Sequence, residues 1–277
     1  MNSTIHPALL AGAQPVRTKP GFTGLMWSPV GAALGHDGRE VLRELLVPAA
    51  LEIFDGTSEK VWQQWLSDDS VDSMQGLVVV LDPEGAPAAW VASNRWELDG
   101  RTCFYANSAG VHPRHQGAGL SSTIWRALLA PEIRRAAPRR LYAVTRTGNP
   151  LVHGAWSSAA GGPSHAYPSP GRRPTQQVRR IAAAAAHKLG QLDRFDSNTL
   201  IVRDAYDFTE AGLWTQRPSS DQTETERWFA TTLGPRDAFI VVVTFDPVTI
   251  ILGEAIRTLR LRLGLGTGGT SRSSRGR

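Results

Sequence analysis

The pattern of apolar and polar positions predicts two helices early in the chain. Between residues 38 and 66, apolar residues recur at intervals of three and four, which places them on one face of a helix. The pattern breaks at Asp55-Gly56-Thr57, which is a turn-forming sequence, so it predicts two helices and not one. Ser58 stands where a serine side chain can cap the second helix.

Three strand-like segments follow, and their connections predict an antiparallel meander. Asp99-Gly100 separates the second from the third, and this dipeptide favours tight hairpins. The sequence PEGA forms the turn between the first two. The segments are GLVVVLD (76–82), APAAWVASNRWEL (86–98) and RTCFYANSAGV (101–111).

Helices and strands alternate through the second half. After Gly119, LSSTIWRALLAPEIRRA has apolar residues at helical spacing. A strand is predicted at 139–147, followed by a short helix at 149–159 that begins at Asn149 with Pro150 in its first position. Beyond it the sequence predicts a loop (161–174), a helix (175–192), a strand (NTLIVRDAY), a helix (TETERWFATTL) and a final strand (237–245).

The two ends differ from the centre in composition. Residues 1–35 contain many Pro, Gly and Ala without a clear period, so we expect an irregular N-terminal arm. The central domain is predicted to span 36–247, with insertions at 161–198 and 207–235. Residues 248–277 predict a basic helix and then a disordered tail. The helix carries Arg257, Arg260 and Arg262.

Composition is that of an ordinary globular protein. Of 277 residues, 41% are hydrophobic and 20% are charged. A single cysteine, Cys103, excludes an internal disulfide and favours a reducing compartment. The sequence has no apolar run long enough to span a bilayer and no signal-peptide pattern at its start. We therefore expect a cytoplasmic protein without a membrane partner.

Positive charge is concentrated in the middle of the chain. Residues 111–180 hold 11 arginines and one acid, Glu132, whereas residues 1–110 have a net charge of −6. A basic patch of this kind suggests an anionic ligand, either a phosphorylated small molecule or a nucleic acid.

The basic region begins at Arg114-His115-Gln116-Gly117-Ala118-Gly119, between the last meander strand and the next helix. Backbone amides at a helix N-terminus are unsatisfied donors with partial positive charge, and they bind phosphate well. The two glycines let the backbone approach phosphate oxygens without a Cβ in the way. GxxxxGK[ST] and GxGxxG are absent from this site, and a preceding meander does not fit a dinucleotide-binding crossover.

These residues resemble the acetyl-CoA signature of the GCN5-related N-acetyltransferase (GNAT) superfamily, [RQ]-x-x-G-x-[GA]. Val111-His112-Pro113 precedes the signature, as in the family, and TRTGNPLVHGAW resembles the family's fifth strand and following helix. The order of two helices, meander, motif helix, strand and helix is also similar. The resemblance covers roughly residues 38–160. It implies an α/β (α+β) fold with a mixed, mostly antiparallel central sheet flanked by helices, here with a helical insertion in the C-terminal part.

The resemblance also implies an acyl donor, which is acetyl-CoA or another pantetheine-linked acyl-CoA. Amides near the motif would hold the pyrophosphate, and the strand before it would bind the pantetheine arm and polarise the thioester carbonyl. Asn149 would line the thiol end. The implied cofactor-binding residues are Ala109, Gly110, Val111, Arg114, His115, Gln116, Gly117, Ala118, Gly119, Leu120 and Asn149.

Catalytic groups are harder to assign, because the amine must be neutral when it attacks and the motif strand contains no acid to serve as base. Asn107 and Ser108 can hydrogen-bond there. Glu97 lies at the hairpin end of the preceding strand. His153 has an ordinary pKa near neutrality and can act as acid or base. Catalysis by positioning alone, with solvent taking the proton, is a further interpretation.

Three functions fit these patterns. The leading one is transfer of an acetyl or other acyl group from acyl-CoA to an amine of a small-molecule acceptor. A second keeps the fold but takes the acyl group from an acyl carrier protein or a tRNA, docked on the basic surface. A third is a non-catalytic module that binds CoA or nucleic acid. The added helices predict either a larger acceptor pocket, which Trp96 and Trp156 can line, or a homodimer interface.

Overall fold

The computed structural model describes residues 5–218 and 223–252, and within them ten strands form a single sheet. The strands are β1 Gln14–Val16, β2 Thr23–Trp27, β3 Gly76–Leu81, β4 Pro87–Leu98, β5 Arg101–Val111, β6 Leu141–Thr147, β7 Ala166–Tyr167, β8 Phe195–Asp196, β9 Ile201–Val202 and β10 Ala238–Phe245. Their spatial order is β1-β2-β3-β4-β5-β6-β10-β9-β8, and β7 pairs with β10 at a second position. Neighbouring strands are antiparallel except β5 and β6, which are parallel.

Helices cover both faces of the sheet. They are α1 Pro7–Leu10, α2 Val30–Ala33, α3 His36–Ile53, α4 Glu59–Trp65, α5 Asp68–Ser73, α6 Leu120–Ala136, α7 Pro150–Ala159, α8 Gln176–Lys188 and α9 Glu224–Thr232. Successive strand residues point to opposite faces. In β3, Val78 and Val80 belong to the core under α6, while Leu77 and Val79 belong to the core under α3. The α6 face also carries α7 and α9, and the α3 face also carries α4, α5 and α8.

The fold class is confirmed. The meander is formed by β3, β4 and β5, and Asp99 and Gly100 both have positive φ angles (50° and 67°), as a type I′ hairpin requires. The predicted helices are present as α3, α4, α6, α7, α8 and α9. Asn149 caps α7 by accepting from the amide of Leu151, whereas the hydroxyl of Ser58 makes no capping bond to α4.

The irregular N-terminal arm is a wrong prediction. β2 pairs with β3 along its whole length, from Thr23 opposite Leu81 to Trp27 opposite Leu77. Trp27 is fully buried. The strand has only five residues between proline- and glycine-rich segments, so it is too short for a period to emerge from the sequence.

Two predictions at the C-terminal end need adjustment. The strand predicted in NTLIVRDAY is reduced to Ile201–Val202, where β9 pairs with β10. Residues 247–252 are helical, and the described part of the chain ends at residue 252. The rest of the predicted basic helix, with Arg257, Arg260 and Arg262, and the predicted tail lie outside the described residues.

Candidate active site

The centre of the sheet opens between β5 and β6. Their parallel pairing extends only from Cys103 opposite Tyr142 to Ala106 opposite Thr145, although β5 continues to Val111. A bulge lies at the same point, because the pairing with β4 passes from Ala106 directly to Ser108 and leaves Asn107 without a counterpart. Bulges bend a strand and increase its twist. The end of β5 therefore turns away from β6.

The backbone of β5 beyond the bulge presents free hydrogen-bonding groups to this opening. The amide of His112 donates to the carbonyl of Ala88 at 2.9 Å, so these opposed residues form a hydrogen-bonded pair. Hydrogen-bonded and non-hydrogen-bonded pairs alternate in antiparallel ladders, so Gly110 also bonds toward β4. The backbone groups of Ala109 and Val111 consequently face the opening, and no described strand pairs with them there.

A cavity of about 630 Å³ runs through the opening. It is lined by most of the site residues expected from the sequence. These are Asn107, Ser108, Ala109, Gly110, Val111, His115, Gln116, Gly117, Gly119, Leu120 and Asn149. Arg114 is exposed and Ala118 partly exposed, and neither is among the lining residues.

The motif forms a tight loop at the N-terminus of α6. Gly117 and Gly119 have φ angles of +78° and +74°, which side-chain-bearing residues rarely adopt. A Cβ on Gly117 would meet no atom within 4 Å, so the loop faces open space. Gly119 is the N-cap residue of α6 and provides no side chain to satisfy the helix amides. The loop is thus open to an anion from outside.

Lys19 adds a cation that the sequence did not indicate. Its Nζ lies 3.2 Å from the point that a Cβ on Gly119 would occupy. The lysine comes from the segment between β1 and β2, about a hundred residues from the motif, so no local pattern could have predicted its position.

Two histidines connect the motif loop to acidic residues of other segments. His115 places Nε2 3.2 Å from Asp82 Oδ2. His112 accepts from the amide of Arg114 through Nδ1, so its Nε2 carries the proton and donates to Glu52 at 2.8 Å. These contacts orient the motif.

The other half of the cavity has an aromatic wall. Rings from α4 and the segment before it lie beside rings from the segment after β9, and the ring centres of Phe54 and Trp214 are 5.5 Å apart. The aromatic lining residues in this half are Phe54, Trp62, Trp65, Tyr105, Tyr206, Phe208 and Trp214. Trp65 donates from Nε1 to Asn107 Oδ1 at 3.3 Å, and Trp90 donates to Ser108 Oγ at 3.3 Å. The two polar residues at the bulge are therefore held in place by indole groups.

Hydrogen bonds join the two segments that cover this half of the cavity. The amide of Gly56 donates to the carbonyl of Leu213 at 3.1 Å. Thr215 donates to Asp55 through both its amide, at 2.8 Å, and its hydroxyl. These donations from Thr215 lower the pKa of Asp55. The α3–α4 loop and the segment after β9 thus form one continuous cover.

Arg146 and Tyr206 are the polar groups of the aromatic half that the sequence reasoning missed. The guanidinium of Arg146 lies 5.0 Å from the centre of the Tyr206 ring. The Tyr206 hydroxyl accepts from the amide of Gly148 at 3.2 Å. Burial raises the pKa of Tyr206, and it raises that of Tyr105 to about 12, while Arg146 opposes both shifts. Alternation along β6 (Tyr142, Val144, Arg146) was the available signal for Arg146.

Glu97 and His153 are not brought to the cavity. Glu97 is exposed at the hairpin end of β4 and accepts from Thr102. His153 is buried beneath α7, where Nε2 lies 2.7 Å from the carbonyl oxygen of Pro168. A carbonyl only accepts, so Nε2 carries the proton. Burial lowers the pKa of His153, which keeps the ring neutral. Its Nδ1 has no partner among the described residues.

The two tryptophans expected at the pocket are also elsewhere. Trp156 is buried against Trp125, which lines the cavity in its place. Trp96 stacks on Tyr105 with ring centres 3.6 Å apart, behind the cavity wall. Cys103 is fully buried, and burial raises the pKa of its thiol to about 12, so it is not a nucleophile at neutral pH.

Two further features are absent from the described part of the chain. It contains no group of three or more His, Cys, Asp or Glu side chains that could hold a metal ion. None of its helices combines the length and apolar character needed to cross a membrane.

No protein-family model matches the chain, and no curated protein matches its sequence. Solved structures similar to it include a GNAT family N-acetyltransferase from Escherichia coli in complex with CoA, at 16% identity and a TM-score of 0.36 over 50% of this chain and 70% of that one. A GNAT family acetyltransferase from Brucella melitensis in complex with acetyl-CoA has 14% identity and a TM-score of 0.33 over 44% and 74%. A GCN5-related N-acetyltransferase from Sphaerobacter thermophilus has 21% identity and a TM-score of 0.30 over 47% and 39%. The fold class rests on the strand pairing described above and not on these similarities.

Proposed function

We propose that this protein is an acyl-CoA-dependent N-acyltransferase that transfers an acetyl or other acyl group to the amine of a small molecule. One observation carries the proposal. A strand edge with free backbone groups, at Ala109 and Val111, leads directly into an open glycine loop at a helix N-terminus. That combination suits a ligand with an amide-containing arm at one end and phosphates at the other.

The residues present fit acetyl-CoA on physical grounds. Backbone groups of Ala109 and Val111 can hydrogen-bond the amides of a pantetheine arm, as a further strand would. The α6 amides and the Lys19 ammonium can receive the pyrophosphate. When bound, acetyl-CoA supplies an acyl thioester whose carbonyl carbon accepts the amine and whose thiolate leaves.

The protein's own groups would contribute mainly by positioning the two substrates and less by transferring protons. No Asp or Glu is among the described residues that line the cavity, so a carboxylate base is not provided. The aromatic wall excludes water from the acceptor half, which favours the neutral form of an amine that enters it. Proton loss to solvent after attack is consistent with this arrangement.

Tyr206 is the group best suited to return a proton to the leaving thiolate. Its hydroxyl lies at the amide of Gly148, directly before Asn149, where the thiol end is expected. A tyrosine hydroxyl carries its proton at neutral pH and can donate it, and burial, which raises the pKa of Tyr206, keeps it in this protonated form.

The test is a calorimetric titration of the purified protein with acetyl-CoA. Wild type should bind, and a variant with Gly117→Glu and Gly119→Glu should lose binding, because two carboxylates would occupy the phosphate loop. Gly171→Glu is the matched control. Gly171 also has a positive φ (68°), has open space around its Cβ position and does not line the cavity. Absence of wild-type binding, or equal loss of binding in the control, would contradict the proposal.

A carrier-bound donor stays a prediction, and the same titration separates it from the leading proposal. It would give no binding of free acetyl-CoA but transfer from an acylated carrier protein. Helix α6, which follows the motif, exposes Arg126 and, in its last turn, Arg134 and Arg135, and it offers a basic surface for such a partner. A non-catalytic module would bind acetyl-CoA without transfer to any amine.

A further inference from the structure

We infer that the acceptor is an amine that carries both an aromatic or large apolar body and a carboxylate, and that Arg146 binds this carboxylate. This inference rests on the proposed function and specifies its second substrate. The observations concern the aromatic half of the cavity, which lies on the α3 and α8 face of the sheet.

The position of Arg146 follows from the alternation of β5 and β6. Tyr105 is opposite Val144 in the parallel pair, and Arg146 lies two residues further along β6, so it points to the same face as Tyr105. Ala106 and Thr145 point to the face that carries α6 and α7. Arg146 is therefore separated by the sheet from the phosphate loop and is directed to the acceptor.

The charge balance of the cavity determines what Arg146 can meet. Arg146 forms no ion pair with any residue in the described part of the chain, and its neighbours are the Tyr105 and Tyr206 side chains. The described lining residues include no acid. A guanidinium in such surroundings pairs well with a carboxylate, since its planar donors match the two oxygens. A polycationic acceptor would be repelled by Arg146 and would meet no carboxylate among the described lining residues.

The shape and chemistry of the walls determine the rest of the acceptor. Trp62, Trp65 and Trp214 surround the space with indole rings, and Phe208 is exposed at its edge although it lines the cavity. Such a lining favours flat apolar bodies. The guanidinium also lowers the pKa of a nearby ammonium group, which helps to provide the neutral amine in a site without a carboxylate base.

Product-like probes test the inference without requiring turnover. Calorimetry would measure binding of N-acetyl-L-phenylalanine and N-acetyl-L-tryptophan in the presence of CoA. N-acetyl-2-phenylethylamine and N-acetyltryptamine lack only the carboxylate, and N-acetyl-L-alanine lacks the ring. The better aromatic acid should bind about 10- to 100-fold more tightly than its decarboxylated partner, as expected for a charged hydrogen-bonded pair. The aromatic acid should also bind more tightly than N-acetyl-L-alanine by a similar factor.

Variants assign the carboxylate effect to one residue. Arg146→Met should remove the preference for the acid over its decarboxylated partner, and Arg146→Lys should restore part of it. Arg140→Met is the matched control, because Arg140 is exposed immediately before β6, and it should leave the preference unchanged.

The outcomes separate the two claims. Acetyl-CoA binding by wild type, with no carboxylate preference or with a preference that survives Arg146→Met, overturns the inference and leaves the proposed function standing. An Arg146-dependent preference without acetyl-CoA binding supports the acceptor site and contradicts the proposed donor. Tighter binding of spermidine than of either aromatic acid would also overturn the inference.

Discussion

Replacing Gly56 by alanine would push apart the two segments that roof the aromatic half of the cavity. A Cβ at this position would lie 3.0 Å from the carbonyl carbon of Leu213 and from the amide nitrogen of Trp214, and closer still to the carbonyl oxygen of Gly212. All three neighbours are backbone atoms, and ordinary contacts begin at about 3.4 Å. They cannot rotate away as a side chain would, so the α3–α4 loop must move.

The cost can be worked from the contacts that this movement disturbs. Inserting a methyl group into well-packed surroundings costs about 1–3 kcal/mol. Losing the bond from the Gly56 amide to Leu213 adds about 1 kcal/mol. The sum is roughly 2–4 kcal/mol, which for a domain of this size lowers the melting temperature by roughly 5–15 °C.

Two measurements would show whether the reasoning holds. Thermal unfolding gives the loss of stability, and hydrogen exchange of peptides covering residues 53–58 and 209–216 should be faster in Gly56→Ala. Affinity for acetyl-CoA should stay within about twofold of wild type, since the motif loop is on the other side of the sheet. Gly35→Ala is the control, because no atom lies within 4 Å of a Cβ at Gly35. Wild-type stability together with wild-type exchange in Gly56→Ala would refute the proposed contact between the two segments.

Four other predictions concern single side chains. Hydrogen bonds from Thr215 lower the pKa of Asp55. The ionised Asp55 carboxylate therefore contributes fully to stability above about pH 4, and this contribution is lost as the pH falls through the lowered pKa. The melting temperature of Asp55→Asn should therefore fall less than that of wild type between pH 5 and pH 3. An equal fall would show that the hydrogen bonds from Thr215 to Asp55 do not contribute to stability in this way. Lys19→Gln should weaken acetyl-CoA binding by about 3- to 10-fold at low salt and less at high salt, as titrations at two ionic strengths would show. Tyr206→Phe should lower kcat by at least about 100-fold with an unchanged Kd for acetyl-CoA, whereas an unchanged kcat would exclude it as the proton donor. With its pKa near 12 and no exposure, Cys103 should not react with a thiol reagent at pH 8 until the protein is unfolded.

Much of the fold could be predicted from the sequence because its elements are long and strongly patterned. The helices around residues 38–66 and 120–136 have clear apolar spacing, and Asp99-Gly100 is a local signal that needs no tertiary context. The failures are short elements. β2 and β9 are strands only because a longer neighbour, β3 or β10, offers them an edge. Strand formation of this kind depends on partners distant in sequence, and a local pattern does not contain it.

The same division explains which of the predicted site residues lie at the cavity. The motif loop is contiguous in sequence, so a local pattern points to its glycines, and the structure places them at the cavity. Glu97 and His153 were considered because of their chemistry, and the structure places one at a hairpin end and the other under α7. Arg146 comes from β6 and Tyr206 from the segment after β9, and only the completed sheet brings them together.

The two halves of the cavity are therefore built in different ways, and this has a consequence for specificity. The proposed donor half consists of one strand edge and one loop, whose geometry depends on backbone groups and on Gly117 and Gly119. The proposed acceptor half consists of side chains from separate segments, which are held together by the bonds at Asp55 and Gly56. Substitutions in the acceptor half can change the aromatic lining or its single guanidinium without moving the donor loop. We therefore expect acceptor preference to respond to changes at Arg146 while acetyl-CoA affinity stays constant.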